Sequence, residues 1–322
     1  MDAQAVRVGL NAVIVAVTDH EPRILTVAEG EAGGEIREDE PEALPYGPLD
    51  PEADRTLERT LRKWVRRRTG LELGYVEQLY TFGDRDRDPM AGRGGRRWLS
   101  VAYLALVRER SPDRTPSAVW RPIYEYMPWE DHRRGRPRVL DHVIQPALEA
   151  WINKGDGEKE RKDRRARANV SFGLGDSGWD EERVLERYEL LFEVGLVQEA
   201  GRVAAAGEPD EGRPLGRAMA VDHRRILATA VGRIRGKLKY RPVVFELLPE
   251  RFTLSQLQRV VEALAGTGLH KQNFRRLVER QGLVHGTGEM ETATGGRPAE
   301  LFRFRREVLL ERRAPGVGLP GA

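Results

Sequence analysis

The chain opens on a β-branched apolar run. Val6 to Val17 reads Val-Arg-Val-Gly-Leu-Asn-Ala-Val-Ile-Val-Ala-Val, which predicts a strand, and Arg23 to Val27 predicts its hairpin partner across Thr18–Pro22. Glu29 to Asp50 is rich in Glu, Gly and Pro and reads as loop. Over Thr56 to Thr69 the apolar positions Leu57, Leu61, Trp64 and Val65 recur at helical spacing, with Gly70 as the stop. Val76–Phe82 and Trp98–Arg108 read as strands on either side of a polar loop. The pattern predicts an α+β domain ending near Arg138.

From Asp141 to Val221 the period becomes helical. Asp141 is placed to N-cap a helix running to Trp151, because its carboxylate accepts first-turn amide protons. Asn153 to Asn169 is a mixed charge run, a linker or the outer face of a helix. Val184, Tyr188, Leu191, Phe192 and Leu196 form one apolar stripe, and Ile226, Leu227, Ala230, Ile234 and Leu238 form another behind Asp222-His223. Either stripe serves intrachain packing or a second copy of the chain. Ala200 to Arg217 reads as loop, and Trp120 to Trp129 is an aromatic cluster suited to packing or to stacking on a base.

Beyond Pro242, Thr253 caps a helix with Leu254, Leu257, Val260, Val261 and Leu264 on one face, ended by Gly266-Thr267-Gly268. A second helix, His270 to Gln281, turns Phe274, Leu277 and Val278 inward. Two helices on a short Gly turn make a helix-turn-helix pattern. The apolar segments Leu283-Val284 and Leu301–Arg305 flank a Gly-rich tip carrying Arg297, which is the outline of a wing. The outward residues of the second helix are Lys271, Gln272, Asn273, Arg275 and Arg276, groups that read base edges in a major groove. Arg297 on the wing is expected to reach phosphate or an adjacent minor groove, and Lys237, Lys239 and Arg241 to hold the DNA backbone. The outer face of any soluble helix, or a protein-docking module, gives the same pattern.

Charge sharpens this reading. The net charge of the 322 residues is only +3, but His223 to Arg313 holds nineteen Lys/Arg against nine Asp/Glu, leaving the remainder net acidic. A basic C-terminal third suits a polyanionic partner. There is no cysteine, so disulfides, thiolate metal sites and cysteine nucleophiles are excluded. No apolar run has the length of a membrane span and Met1–Gln4 lacks a basic leader, so a cytoplasmic protein without membrane contact is expected. The six histidines show no ligand spacing, and no metal site or catalytic residue is assigned.

The helix ending at Gly70-Leu71 stands where a Nudix hydrolase carries its metal-binding carboxylates. Aligned back from Gly70, the motif's Arg-Glu falls on Lys63-Trp64 and its Glu-Glu on Arg67-Arg68, while its opening glycine is offset to Gly47. All three helix carboxylates are therefore missing, and ordinary magnesium-assisted hydrolysis is not expected. Arg62, Lys63, Arg66 and Arg67 instead offer cations to the diphosphate of a nucleotide, or simply a solvated basic face.

Further residues carry a resemblance. Tyr75-Val-Glu-Gln-Leu-Tyr-Thr-Phe-Gly-Asp84, Ser100–Leu106, Arg235–Tyr240, Phe245–Pro249, Phe252–Leu257, Asn273-Phe-Arg-Arg276 and Gly295–Leu301 resemble the Nudix-related transcriptional regulators of bacterial NAD metabolism. The degenerate box and the long middle stretch look more like the related repressors called NadQ. The resemblance implies a Nudix-like α/β/α sandwich at 1–139, a helical connector at 140–222, a winged helix-turn-helix at 223–313 and a tail at 314–322. It also implies a homodimeric repressor of NAD-biosynthesis genes that binds a palindromic double-stranded operator. NAD, ADP-ribose or ATP is the expected effector, with no required cofactor. The alternative is a divergent pyrophosphohydrolase drawing metal ligands from Glu52, Asp54 or Glu58.

Overall fold

A computed structural model describes residues 6–28, 41–84, 98–109, 118–203, 215–292, 298–311 and 316–317. Its first unit is a mixed sheet of β1 (Arg7–Thr18), β2 (Glu21–Val27), β3 (Tyr46–Pro48), β4 (Tyr75–Phe82), β5 (Trp98–Leu106) and β6 (Ala118–Pro122), with helix α1 (Leu57–Thr69) between β3 and β4. The strand order is β4-β5-β1-β2-β6, with β3 paired to β1 beside β2. β1 runs parallel to β5 from Arg7↔Trp98 to Val15↔Leu106 and antiparallel to its other partners.

β1 shows why its sequence is a nearly unbroken apolar run. Successive side chains alternate between the faces of a sheet, and here both faces are covered. Leu10, Ala12, Ile14 and Ala16 pack with Leu61 and Val65 of α1. Val13 and Val15 point the other way, into a core shared with the connector and the C-terminal domain. The second helical layer of the α/β/α arrangement is thus supplied largely by elements later in the chain. Two strands escape the hydrophobic pattern: β3, inside the segment read as loop, and the five-residue β6.

After β6 come a short helix α2 (Ile123–Tyr126), a π turn (Leu140–Ile144), α3 (Gln145–Asn153), α4 (Glu158–Phe172), α5 (Val184–Val194), α6 (Gln198–Val203) and the 18-residue α7 (His223–Tyr240). Asp141 is not an N-cap: it lies within the π turn and accepts from Arg136 at 2.8 Å. The mixed charge run is mostly helix α4, and the segment beginning at Ala200 starts inside α6. The aromatic residues Trp120, Tyr124, Tyr126 and Trp129 are buried, which favours packing over base stacking.

The C-terminal unit comprises a 3₁₀ turn (Val243–Leu247), β7 (Phe252–Thr253), α8 (Leu254–Ala265), α9 (Lys271–Gln281), β8 (Val284–Glu291), β9 (Ala299–Phe304) and a final turn α10 (Val308–Glu311). Thr253 and Gln256 form a reciprocal capping box at the start of α8. Gly266 ends α8 at φ +72°, and a Cβ there would lie 2.4 Å from Arg235 Nη2. Strand order β7-β9-β8 completes a winged helix-turn-helix. The apolar stripes of α5 and α7 are buried in the core of this one chain, so they do not supply a dimer surface.

Candidate nucleic-acid interface and anion pocket

On α9, Phe274 and Val278 anchor the helix in the C-terminal core and Leu277 is half-buried. That anchoring leaves Lys271, Gln272, Asn273, Arg275 and Arg276 exposed. None of the five side chains is engaged in a hydrogen bond or ion pair with another described residue. Three cations and two carboxamides therefore stand free on the helix that a helix-turn-helix lays in the major groove. Arg297 lies outside the described residues.

Lys237 and Lys239 are placed differently from the other basic candidates. Lys237 Nζ meets Glu77 of β4 at 2.7 Å, and Lys239 Nζ meets Glu182 at 2.8 Å. Both ammonium groups are held within the molecule, where they join α7 to the first sheet and to the connector. A phosphate would have to displace a carboxylate to reach either one.

The four basic residues of α1 lie together. Arg62, Lys63, Arg66 and Arg67 line a cavity of about 1140 Å³ with Arg108, the loop Gly70–Gly74 and Glu246 from the C-terminal unit. Arg62 braces one wall rather than facing an occupant. Its guanidinium donates to the carbonyls of Leu73 and Gly74 and to Glu58 Oε1. Arg66 makes only a loose contact with Glu72 at 3.7 Å. Lys63 and Arg67 have no ion-pair partner among the described residues. Part of this charge offsets the partial negative charge at the α1 C-terminus.

The metal-binding positions of a Nudix helix are filled in another way. Trp64 takes the place of a carboxylate and packs on Gly47, where a Cβ would fall 1.9 Å from the indole Cε2. The Arg68 guanidinium lies over the Trp64 ring, 4.7 Å from its centroid. Neither residue lines the basic cavity. At roughly 100° per residue, they occupy nearly the opposite side of α1 from Lys63, Arg66 and Gly70. Glu58 is paired with Arg62, and Glu52 and Asp54 lie in an exposed turn ahead of α1. No group of three or more acidic or histidine side chains is arranged to hold a metal among the described residues.

Sequence reasoning missed the buried charges that join the units. Glu130 accepts from Arg187 Nε and Nη2 at 2.6 and 2.9 Å and from Arg235 Nη1 at 2.5 Å, with all three side chains buried. Burial pushes the Glu130 carboxyl up, but Arg187 and Arg235 outweigh it and hold the group below its ordinary range. Glu42 likewise accepts from Thr26, Tyr126, Arg121 and Arg217. The available signal was an arginine inside an apolar stripe, as Arg187 is beside Tyr188 and Arg235 beside Ile234.

The fold defines a class: a Nudix-like α+β domain joined through helices to a winged helix. Residues 244–304 match the family model of the NrtR DNA-binding winged helix domain. The C-terminal end of the chain thus carries an NrtR-type winged helix, behind a domain of Nudix-like fold. The chain is 38% identical over 86 residues to the ADPR-responsive transcriptional repressor NtrR of Acinetobacter baylyi, a stretch covering 27% of this chain and 34% of that relative. The matched stretch thus spans about a third of the relative's length. Shewanella oneidensis NrtR in complex with a 27mer DNA has a similar fold, at TM-score 0.55 and 22% identity over 94% of both chains. So does a MutT/nudix family protein of Enterococcus faecalis, at TM-score 0.51 and 15% identity, over 95% of this chain and 88% of that one.

Proposed function

We propose that this protein is a transcriptional repressor of NAD-biosynthesis genes that binds a double-stranded operator as a homodimer. In this reading a nucleotide in the Nudix-like domain controls it. The exposed, unpaired face of α9 on an NrtR-type winged helix carries the DNA-binding half. Lys271, Gln272, Asn273, Arg275 and Arg276 are the proposed contacts, with Arg297 on the wing. Lys237 and Lys239 serve the joint between domains rather than DNA. The cavity beside α1 carries the sensing half, with Lys63, Arg66 and Arg67 as the diphosphate receptor. ADP-ribose is the first effector to test, because the Acinetobacter relative responds to it; NAD and ATP follow. A non-catalytic Nudix-like domain is favoured by the Trp64–Arg68 pair at positions that need carboxylates.

The deciding experiment is fluorescence anisotropy on duplex DNA from upstream of the host's NAD genes, at physiological salt with excess competitor DNA. Counterion release makes low-salt binding uninformative about specificity. Submicromolar, competitor-resistant binding that one of the three nucleotides alters is the expected result. Failure to bind, together with magnesium-dependent release of AMP from ADP-ribose, would overturn it in favour of a pyrophosphohydrolase.

A further inference from the structure

The basic cavity is not purely basic. Glu246, from the 3₁₀ turn Val243–Leu247 of the C-terminal unit, also lines it. It borders the Gly70–Gly74 loop closely: a Cβ on Gly74 would lie 3.5 Å from Glu246 Oε2. Yet this exposed carboxylate pairs with none of the cavity's cations, whose carboxylate contacts go to Glu58 and Glu72. The cavity therefore combines cations from the first unit with an unpaired carboxylate acceptor from the C-terminal one.

That pairing of charges selects a chemistry. A bare polyphosphate gains at Lys63, Arg66, Arg67 and Arg108 but is repelled by Glu246. A ligand with a diphosphate at one end and hydroxyl donors at the other satisfies both, because a carboxylate accepts sugar hydroxyls through charge-assisted hydrogen bonds. The volume exceeds the roughly 300–1,000 Å³ typical of small-molecule sites and accommodates a ligand of that length.

We infer that Glu246 is a specificity-determining contact of the winged-helix domain, accepting sugar hydroxyls of a nucleoside diphosphate sugar whose diphosphate lies on Lys63, Arg66, Arg67 and Arg108. This rests on the effector reading above and deepens it. The occupant touches the Nudix-like helix and the DNA-binding unit at once, which gives binding a direct purchase on the winged helix. The ligand then meets α1 at Arg67, one of the three lost carboxylate positions, and not at the other two, Trp64 and Arg68.

Titration calorimetry of the full-length protein tests the assignment, with ADP-ribose and inorganic pyrophosphate as probes. The proteins compared are the wild type, Glu246→Ala and the double variant Lys63→Ala/Arg67→Ala, each checked for an unchanged melting profile. Wild type should prefer ADP-ribose. Glu246→Ala should weaken ADP-ribose about tenfold or more, the loss of a charged acceptor, while pyrophosphate holds or tightens. The double variant should weaken both. Binding of ADP-ribose to wild type with Glu246→Ala unaffected, or with both probes weakened alike, overturns the assignment alone. ADP-ribose binding untouched by Lys63→Ala/Arg67→Ala overturns it by placing the ligand elsewhere. No ADP-ribose binding to wild type overturns both the assignment and ADP-ribose as the effector.

Discussion

His223 shows how one side chain holds two parts of the molecule. It opens α7, yet its ring is buried against the sheet, where Nδ1 accepts the Leu44 backbone N–H at 3.0 Å. Nε2 then carries the ring proton and meets the Asn11 carboxamide at 2.9 Å; turned so that its oxygen faces the ring, that amide accepts. Burial lowers the His223 pKa from 6.5 to about 4. The His132 pKa also falls to about 4, by burial first, against the opposing pull of Glu130. A folded pKa below the unfolded one means that the unfolded chain binds the proton first. The stabilisation is therefore complete above about pH 6.5 and is lost as pH falls toward 4. For fully buried His223 the loss amounts to about 3 kcal/mol. Chemical melts between pH 7 and 4.5 should show this slope, and His223→Gln should flatten it; an unchanged slope would place the proton uptake elsewhere. The sequence shows an Asp-His pair at a helix start, but not that the imidazole is inside, because Leu44 and Asn11 are remote in sequence.

The helices α9 and α1 are both strongly basic, and only packing separates their roles. α9 is held by Phe274 and Val278 and keeps its cations free. α1 turns Trp64 onto Gly47 and engages Arg62 in bracing the Leu73–Gly74 loop. The α9 pattern was legible in sequence because three inward residues at helical spacing fix which side faces out. Asn273→Ala or Arg276→Ala should cost about 1–3 kcal/mol of operator affinity and relax base preference at one position. Lys271→Ala, if it contacts phosphate, should weaken all sequences alike and reduce the salt slope by about one. Anisotropy across a salt series on matched and mutated operators distinguishes these effects; equal losses on every sequence for Asn273→Ala would remove it from base readout. For α1 the sequence located the basic residues, but not which of them face a cavity.

At the scale of the whole molecule the three parts form one unit. Glu130 gathers Arg187 of α5 and Arg235 of α7, and Arg235 continues to the Leu264 carbonyl at the end of α8. Arg224 of α7 joins Glu199 and the carbonyls of Tyr126 and Leu215. The hairpin turn between β1 and β2 reaches the winged helix, where His20 Nε2 lies 3.1 Å from Arg259 Nη1. Removing one partner of a buried ion pair leaves the others uncompensated. Glu130→Gln should therefore destabilise the protein by about 3–5 kcal/mol and split a single urea transition into separate ones for the two ends. A single transition shifted by less than about 1 kcal/mol would show that Glu130 does not hold the parts together.

The amino-acid sequence determined what local rules govern. The β1–β2 hairpin, α1, the Thr253 cap, the two helices of the winged helix and the loss of the Nudix carboxylates follow from short-range periodicity, turn residues and motif spacing. β3, β6 and the π turn at Leu140 carry too few residues for a period to register, and pairing partners made them. Tertiary structure alone decided that the stripes of α5 and α7 close an internal core, that Lys237 and Lys239 pair with acids far away in sequence, and that Glu246 crosses to the cavity of another domain. Each of these depends on contacts between distant segments, whose burial and charge compensation are set by how the layers pack rather than by neighbouring residues.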